Sequence, residues 1–541
     1  MTSAAPERRG RAVARRLRVR GWLRTLSPLH TGAAGQGPAG LLTVAVDGLG
    51  RPYVPGTGLA GALRAVAARL PGVDEEHLRD LWGWMEPKGQ EGSVSRLLVR
   101  DALLAEGTGL DEDGIPDRTL EATRLDSRLS VGIDRVTGAA AHGFLHGRVV
   151  VPRGTYLRLE MDLESAADAA AGGQAAADAE HLRLLLRALR HGQVRLGAAK
   201  TRGLGRVELL TGQTVVDEHD LTTPAGLVAA LGHGGPVTGW DLAGEDGALS
   251  GGPPLEQFTV RVDWHPTAPL MVRSAVDGVL ADAIPYTSAT RPGKVALCLP
   301  GSALKGRLRA QAERIERTVR QVDVPSSADG DPVERSAAFR RQLDELAAVR
   351  ALFGAAPAAR NAQHADRRGA GALTVDDCFS DAALPETLWQ VLFGGPGGEQ
   401  EADADTALES LSDHGFARAD HVAIDRWTGG AAEGRLFSVL EPHGITWEPL
   451  TLTIDQARLD AHGETGAAAT ALLLLVLRDL TAGRIPLGWG TNRGMGNITV
   501  DAVTLTLPGH DDPVALQEYL AGPEAADLTE QWCRYLDGSP A

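Results

Sequence analysis

Pro300-Gly301-Ser302-Ala303-Leu304-Lys305-Gly306-Arg307-Leu308-Arg309 opens a three-part constellation that this chain carries twice, in the same order. It continues with Ala423-Ile424-Asp425-Arg426-Trp427-Thr428-Gly429 and ends at Gly490-Thr491-Asn492-Arg493-Gly494-Met495-Gly496. The first half reads Pro55-Gly56-Thr57-Gly58-Leu59-Ala60-Gly61-Ala62-Leu63-Arg64, then Gly132-Ile133-Asp134-Arg135-Val136-Thr137-Gly138, then Ala199-Lys200-Thr201-Arg202-Gly203-Leu204-Gly205. The step from Asp134 to Arg202 is 68 residues, and so is the step from Asp425 to Arg493. Matching order and spacing indicate an internal duplication, two copies of one domain, before any chemistry is considered.

Working outward, the elements around each copy follow one succession. Leu17–Leu26 alternates like a strand, Leu59–Leu70 has helical spacing, and Leu97–Ala102, Arg148–Val151 and Tyr156–Leu163 read as strands. His181–Arg190 is an amphipathic helix, followed by the glycine loop and the strand Arg206–Leu210. The second half repeats this with strands over Phe258–Trp264, Leu373–Asp377 and Ile498–Leu507 and helices over Leu304–Val319 and Ala468–Leu480. That order is βαββαβ, so the expected fold is α+β: two tandem ferredoxin-like, RRM-like units with insertions. The expected division is a basic arm over residues 1–16, domain one over 17–215, a Gly/Asp-rich linker over 216–255, and domain two over 256–508. A short helix near 513–520 and an irregular end make up the tail, 509–541. Domain two carries about 46 more residues between its first two motifs, an insertion spanning about 310–420 with a charged helix over Glu334–Arg350 and a loop near 394–405.

A length of 541 residues requires more than one core. Cys298, Cys378 and Cys533 are far apart and form no CxxC pair, which excludes a disulfide framework and a zinc knuckle and fits a cytoplasmic protein. The longest apolar run, Thr465–Leu477, is too short to span a bilayer, so no membrane role is expected. The net charge of −16 opposes a simple nucleic-acid binder, yet the acids gather at 111–117 and 399–405 while the repeated motifs are Arg-rich. Local field outweighs the total.

Bare glycines beside an arginine, as in Arg202-Gly203-Leu204-Gly205 and Arg493-Gly494-Met495-Gly496, suit a phosphate. Ser302 lies at a helix start, with Lys305 and Arg309 one turn apart, where free N–H groups favour an anion. A P-loop is excluded because the lysine precedes the glycine in Leu304-Lys305-Gly306. Gly35-Gln36-Gly37-Pro38-Ala39-Gly40 fits GxGxxG, but a strand-like run follows it, so it is no dinucleotide fingerprint. His30 reads as a structural loop histidine rather than an acid/base group.

The ordered triplet, with Leu81-Trp82-Gly83 and Leu352-Phe353-Gly354 before the second strand, resembles the RAMP superfamily of CRISPR-associated proteins. More narrowly it is similar to the backbone subunits of type III (Csm/Cmr-like) effector complexes, here as a tandem fusion over residues 17–215 and 256–508. The resemblance implies RRM-like domains that hold the sugar-phosphate backbone of a guide crRNA while its bases pair with a target RNA. It implies a large subunit, a small subunit and other RAMP proteins as partners. It also implies a thumb-like hairpin, and the segments at Asp134-Arg135 and Asp425-Arg426 match the region leading into it. RNA contact would then fall to Arg64, Lys200, Arg202, Ser302, Lys305, Arg309, Asn492 and Arg493, with the glycines Gly203, Gly205, Gly494 and Gly496. Asp134 and Asp425 would hold a neighbouring arginine or cap a turn.

Such subunits often cut target RNA with an aspartate in the loop before the Pro-Gly-Ser motif, in a reaction that needs a divalent metal such as Mg2+. Domain one has Leu41-Leu42 there and should not cut. Domain two reads Gly278-Val279-Leu280-Ala281-Asp282-Ala283-Ile284-Pro285, which makes Asp282 the candidate catalytic residue and Asp277 the fallback. Ala60 stands where the second copy has Lys305, implying a weaker phosphate grip in domain one.

Overall fold

A computed structural model describes residues 13–537 except 38–39, 87–88, 90, 167–171, 233–237, 243–246, 327–329, 357–368, 394–399 and 511. In domain one the strand Arg15–Thr25 lies between Tyr156–Ser165 and Arg206–Leu209, and Leu97–Val99 flanks Tyr156–Ser165 on its far side. All of these pairings are antiparallel. Numbered by their place in βαββαβ, the strands run 4-1-3-2, the ferredoxin-like order. Domain two repeats it with Ile498–Thr506, Phe258–Pro266, Leu450–Ile454 and Leu373–Val375.

Alternation along the first strand explains the packing. Leu17, Val19 and Leu23 face the core beneath the helices Gly56–Ala67 and Gly172–Arg190. Arg16, Arg18, Arg20 and Arg24 face the other way and pair with Glu164, Asp162, Asp217 and Glu208 at 2.5–2.9 Å. The basic stretch after residue 14 is therefore a neutralised strand face. Residues 1–12 of the expected arm lie outside the described residues.

The described residues of 216–255, expected as a linker, form part of domain one. Val215–Asp220 pairs with Arg15–Arg20, the helix Pro224–Ala230 follows, and Leu242, Leu249 and Leu255 are buried in the first core. Burying three leucines outweighs the Gly/Asp-rich composition that suggested a connector. The tail is also more regular than expected: helices span Leu516–Ala521 and Pro523–Leu536, and Trp532 is buried in the second core. The last helix packs on Glu464–Thr481, which explains why that helix is apolar almost all round. Within the insertion, Pro332–Asp344 and Ala347–Phe353 are helical. The helix Gln400–Asp413 replaces the loop expected at 400–405, and 394–399 lie outside the described residues. No described helix is long and apolar enough to cross a membrane.

Each domain projects a long β-hairpin, Asp126–Ile133 with Ala140–Val150 and Phe416–Ile424 with Ala431–Pro442. The Ile-Asp-Arg segments are the hairpin tips themselves. The first hairpin docks on domain two, where Phe144 and Phe339 meet edge-to-face at 4.4 Å between centroids. Arg135 reaches Glu313 at 2.8 Å, and its backbone N–H donates to Gln342. The second hairpin is exposed, with Trp427 96% accessible at its tip.

Candidate nucleic-acid interface

The Pro-Gly motif positions a helix against the second strand, and in doing so it takes up the first free N–H of the helix start, while Ser302 lies at the cleft. The Gly301 N–H, the first of helix Gly301–Arg320, donates to Asp377 Oδ1 at 2.7 Å. Gly56 does the same to Asp101 at 2.7 Å. Glycine is needed because a Cβ at Gly301 would collide with the Val375 carbonyl, and one at Gly56 with that of Val99. The helix dipole is thus answered by an internal carboxylate rather than left for a phosphate.

Asp377 is also the hinge pin between domains. Its carboxylate takes two bonds from Arg128 of the first hairpin, at 2.8 and 3.2 Å, with both side chains buried. Gly203 of the first glycine loop lies against the same carboxylate, so a Cβ there would overlap Asp377. Gly205 and Gly496 are equally constrained by their positive φ and by the Leu196 and Leu487 carbonyls. Gly494, by contrast, faces open space.

This junction forms a cleft of about 700 Å3. Lys200 and Arg202 line it from domain one, and Ser302, Lys305, Arg309 and Arg340 from domain two. Lys200 and Arg202 have no acidic partner among the described residues, and burial lowers both pKa values. Beside Arg202 on the first hairpin stand His146 and Arg148. Arg148 is 7% exposed and has no acidic partner among the described residues; burial, then Arg202 and Arg128, lower its pKa. Burial, with Arg202 and Arg148, likewise lowers that of His146. Asp344 also lines the cleft, and the like charges of Lys200, Arg202 and Arg148, none of them paired with an acid among the described residues, favour an anion beside them.

Two expected contacts differ. Lys305 is 6% exposed and its ammonium donates to the Leu373 carbonyl at 2.6 Å; burial, with Arg309 and Arg202, lowers its pKa to about 7. Arg309 is committed to Glu313 at 2.8 Å and to the carbonyls of Gly354 and Leu343. These two residues build the cleft wall, and the cations that line it without an acidic partner among the described residues are Lys200 and Arg202 of the glycine loop and Arg340. Arg64, on helix Gly56–Ala67, does not line the cleft, nor do Asn492, Arg493 and Gly494. Arg148, His146 and Arg340 were missed from sequence, although the i, i+2 spacing of His146 and Arg148 places both on one strand face.

At the hairpin tips, Asp134 accepts the N–H groups of Val136 and Thr137, and Asp425 those of Trp427 and Thr428. Both are turn caps. The Trp427 and Thr428 amides lower the Asp425 pKa. Arg426 is exposed at the free tip. His30 is buried, with Nδ1 2.7 Å from the Val149 carbonyl and a pKa lowered by burial.

Asp282 lies on a loop anchored to the second hairpin, where its Oδ2 accepts the Ser438 N–H at 2.7 Å and hydroxyl at 3.0 Å. These bonds lower its pKa. Asp277 pairs with Arg273 at 2.5 Å. Among the described residues no three His, Cys, Asp or Glu side chains come together to hold a metal.

No curated protein matches the chain significantly. A family model described as the RAMP superfamily matches it twice, over residues 22–208 and 269–499, one match for each ferredoxin-like unit. With most of the chain covered and the duplicated fold agreeing, the chain belongs to the RAMP superfamily.

Proposed function

We propose that this chain is a backbone subunit of a type III CRISPR ribonucleoprotein that holds guide crRNA through its two domains and leaves the bases to pair with target RNA. The observation that carries this reading is the interdomain cleft, which Lys200 and Arg202 line without acidic partners among the described residues, with the buried Arg148 beside Arg202 behind them. Membership of the RAMP superfamily supports it. The outer face of the first sheet is covered by arginine–carboxylate pairs, so phosphate is directed to the cleft rather than to that face. Large, small and further RAMP subunits are the partners this reading requires. The buried His30 ring, held by Val149, disfavours a standalone guide-processing endoribonuclease.

Cutting of target RNA is assigned to domain two. Asp282 Oδ2 is held by Ser438, which fixes the carboxylate and leaves Oδ1 to act. A Mg2+ ion there would neutralise phosphate charge, with its other ligands drawn from RNA and water. The chain's own contribution is a positioned, ionised carboxylate. A scaffold that binds without cutting is the second reading, favoured by the lack of a multi-ligand cluster among the described residues.

Purification from the host followed by sequencing of bound RNA tests the assignment: repeat-derived RNA of uniform length is expected, and its absence overturns it. Asp282→Ala is expected to abolish magnesium-dependent cutting of guide-matched RNA, at least a hundredfold by the usual scale of such losses. Undiminished cutting in Asp282→Ala removes that residue from the reaction, and Asp277→Ala then tests the fallback.

A further inference from the structure

The duplication offers an internal comparison of the two glycine loops. In domain one, Arg202 is flanked by Ala198 on its loop and by His146 on the hairpin. The equivalent positions around Arg493 carry Trp489 and Phe437. The Arg493 guanidinium lies 4.4 Å from the Trp489 ring centroid and 5.5 Å from that of Phe437. His421 stacks on Phe437 with centroids 5.3 Å apart and planes 17° from parallel, and its Nε2 lies 3.2 Å from Glu441.

Phe437 and Trp489 are half-buried, and both pack against a buried cluster of Met271, Ala283, Val439 and Met495. Their positions are therefore fixed by the core while part of each side chain remains accessible. Arg493 is exposed and has no acidic partner among the described residues. Fixed aromatic surface beside an uncompensated guanidinium suits a flat π-system joined to an anionic backbone.

We propose that Phe437, Trp489 and Arg493 form a stacking platform for an unpaired RNA base, so that domain one grips phosphate while domain two grips a base. The assignment rests on the RNA-binding reading above. Every base has a π-face, so the platform is tolerant of sequence and sensitive to the presence of a base.

The test uses the full chain and two labelled RNAs of equal length and charge, an oligoadenylate and the same strand with abasic residues. Fluorescence anisotropy of the wild type is expected to favour the base-bearing strand about tenfold. Trp489→Leu and Phe437→Leu should lose that preference with abasic binding unchanged, and Trp489→Phe should retain it. Arg202→Ala should weaken both strands alike. Equal wild-type binding of the two RNAs, or a preference that survives both leucine variants, overturns the platform while RNA binding stands. Binding of neither RNA overturns both readings. Thermal melting checks that each variant folds, and if Trp489→Leu does not, Phe437→Leu and Trp489→Phe decide the matter.

Discussion

A lysine one turn into a helix that begins Pro-Gly-Ser invites assignment as a phosphate ligand, and Lys305 is placed otherwise. Its ammonium is buried against the Leu373 carbonyl, and its pKa falls to about 7 because burial and the nearby Arg309 and Arg202 penalise the charge. In the unfolded chain the same lysine keeps its proton up to about pH 10.5. Between pH 7 and 10.5 the unfolded state therefore holds more protons, and folding stability rises with pH across that window. Urea unfolding at pH 7 and 9 should show this rise in the wild type, on the order of 2 kcal/mol. Lys305→Met, which keeps the apolar stem, should flatten it and be the more stable protein at pH 7. An identical pH dependence in both would show that Lys305 does not carry the effect. The motif was legible in the sequence, but the direction in which its lysine points was not. That direction depends on Leu373, 68 residues away, and on a helix start already capped by Asp377.

At the scale of elements, the two hairpins share a tip and differ in their surroundings. Asp134 and Asp425 make the same turn-capping bonds, and Gly138 and Gly429 take the same left-handed backbone at φ 66° and 69°. Arg135 is pinned by Glu313 and Gln342 of domain two, whereas the second tip has only its own turn bonds among the contacts described. Hydrogen exchange should accordingly be slower in residues 133–139 than in 424–430 by about tenfold or more, since a docked turn opens only when its contacts break. Equal exchange at the two tips would mean that the docking contributes nothing to local stability. The strands and helices of both domains were readable because their apolar period matches the face they bury, as in Leu17, Val19 and Leu23. What receives the first hairpin was not readable. The helix Pro332–Asp344 looks like any charged surface helix, and its contacts with the first hairpin, Phe339 against Phe144 and Gln342 against the Arg135 N–H, reveal its purpose. Residues 216–255 misled for a related reason: their glycines suggest a connector, while three scattered leucines decide the packing.

Over the whole molecule, a symmetric duplication becomes an asymmetric pair. Domain one presents its hairpin and glycine loop to domain two, and the two are joined by the buried Arg128–Asp377 pair with Arg195–Asp376, Arg124–Glu386 and Arg153–Glu448 around it. The same surfaces of domain two, with Trp427, Arg493 and Gly494, remain exposed. Lys200 and Arg202 lie at the junction without acidic partners among the described residues, while the first sheet's outer face is neutralised pair by pair. A chain of net charge −16 can hold RNA in this way because the local field at the cleft, set by Lys200 and Arg202, outweighs the total. Ultraviolet crosslinking of the full chain to bound RNA, with the joined peptides read by mass spectrometry, tests that placement most directly. Crosslinks are expected in residues 144–148 and 199–205, and Arg148→Ala with Arg202→Ala should remove most of them and reduce the salt dependence of binding by about one unit per arginine. Crosslinks confined to the outer sheet face at residues 16–24, undiminished in that double variant, would contradict it.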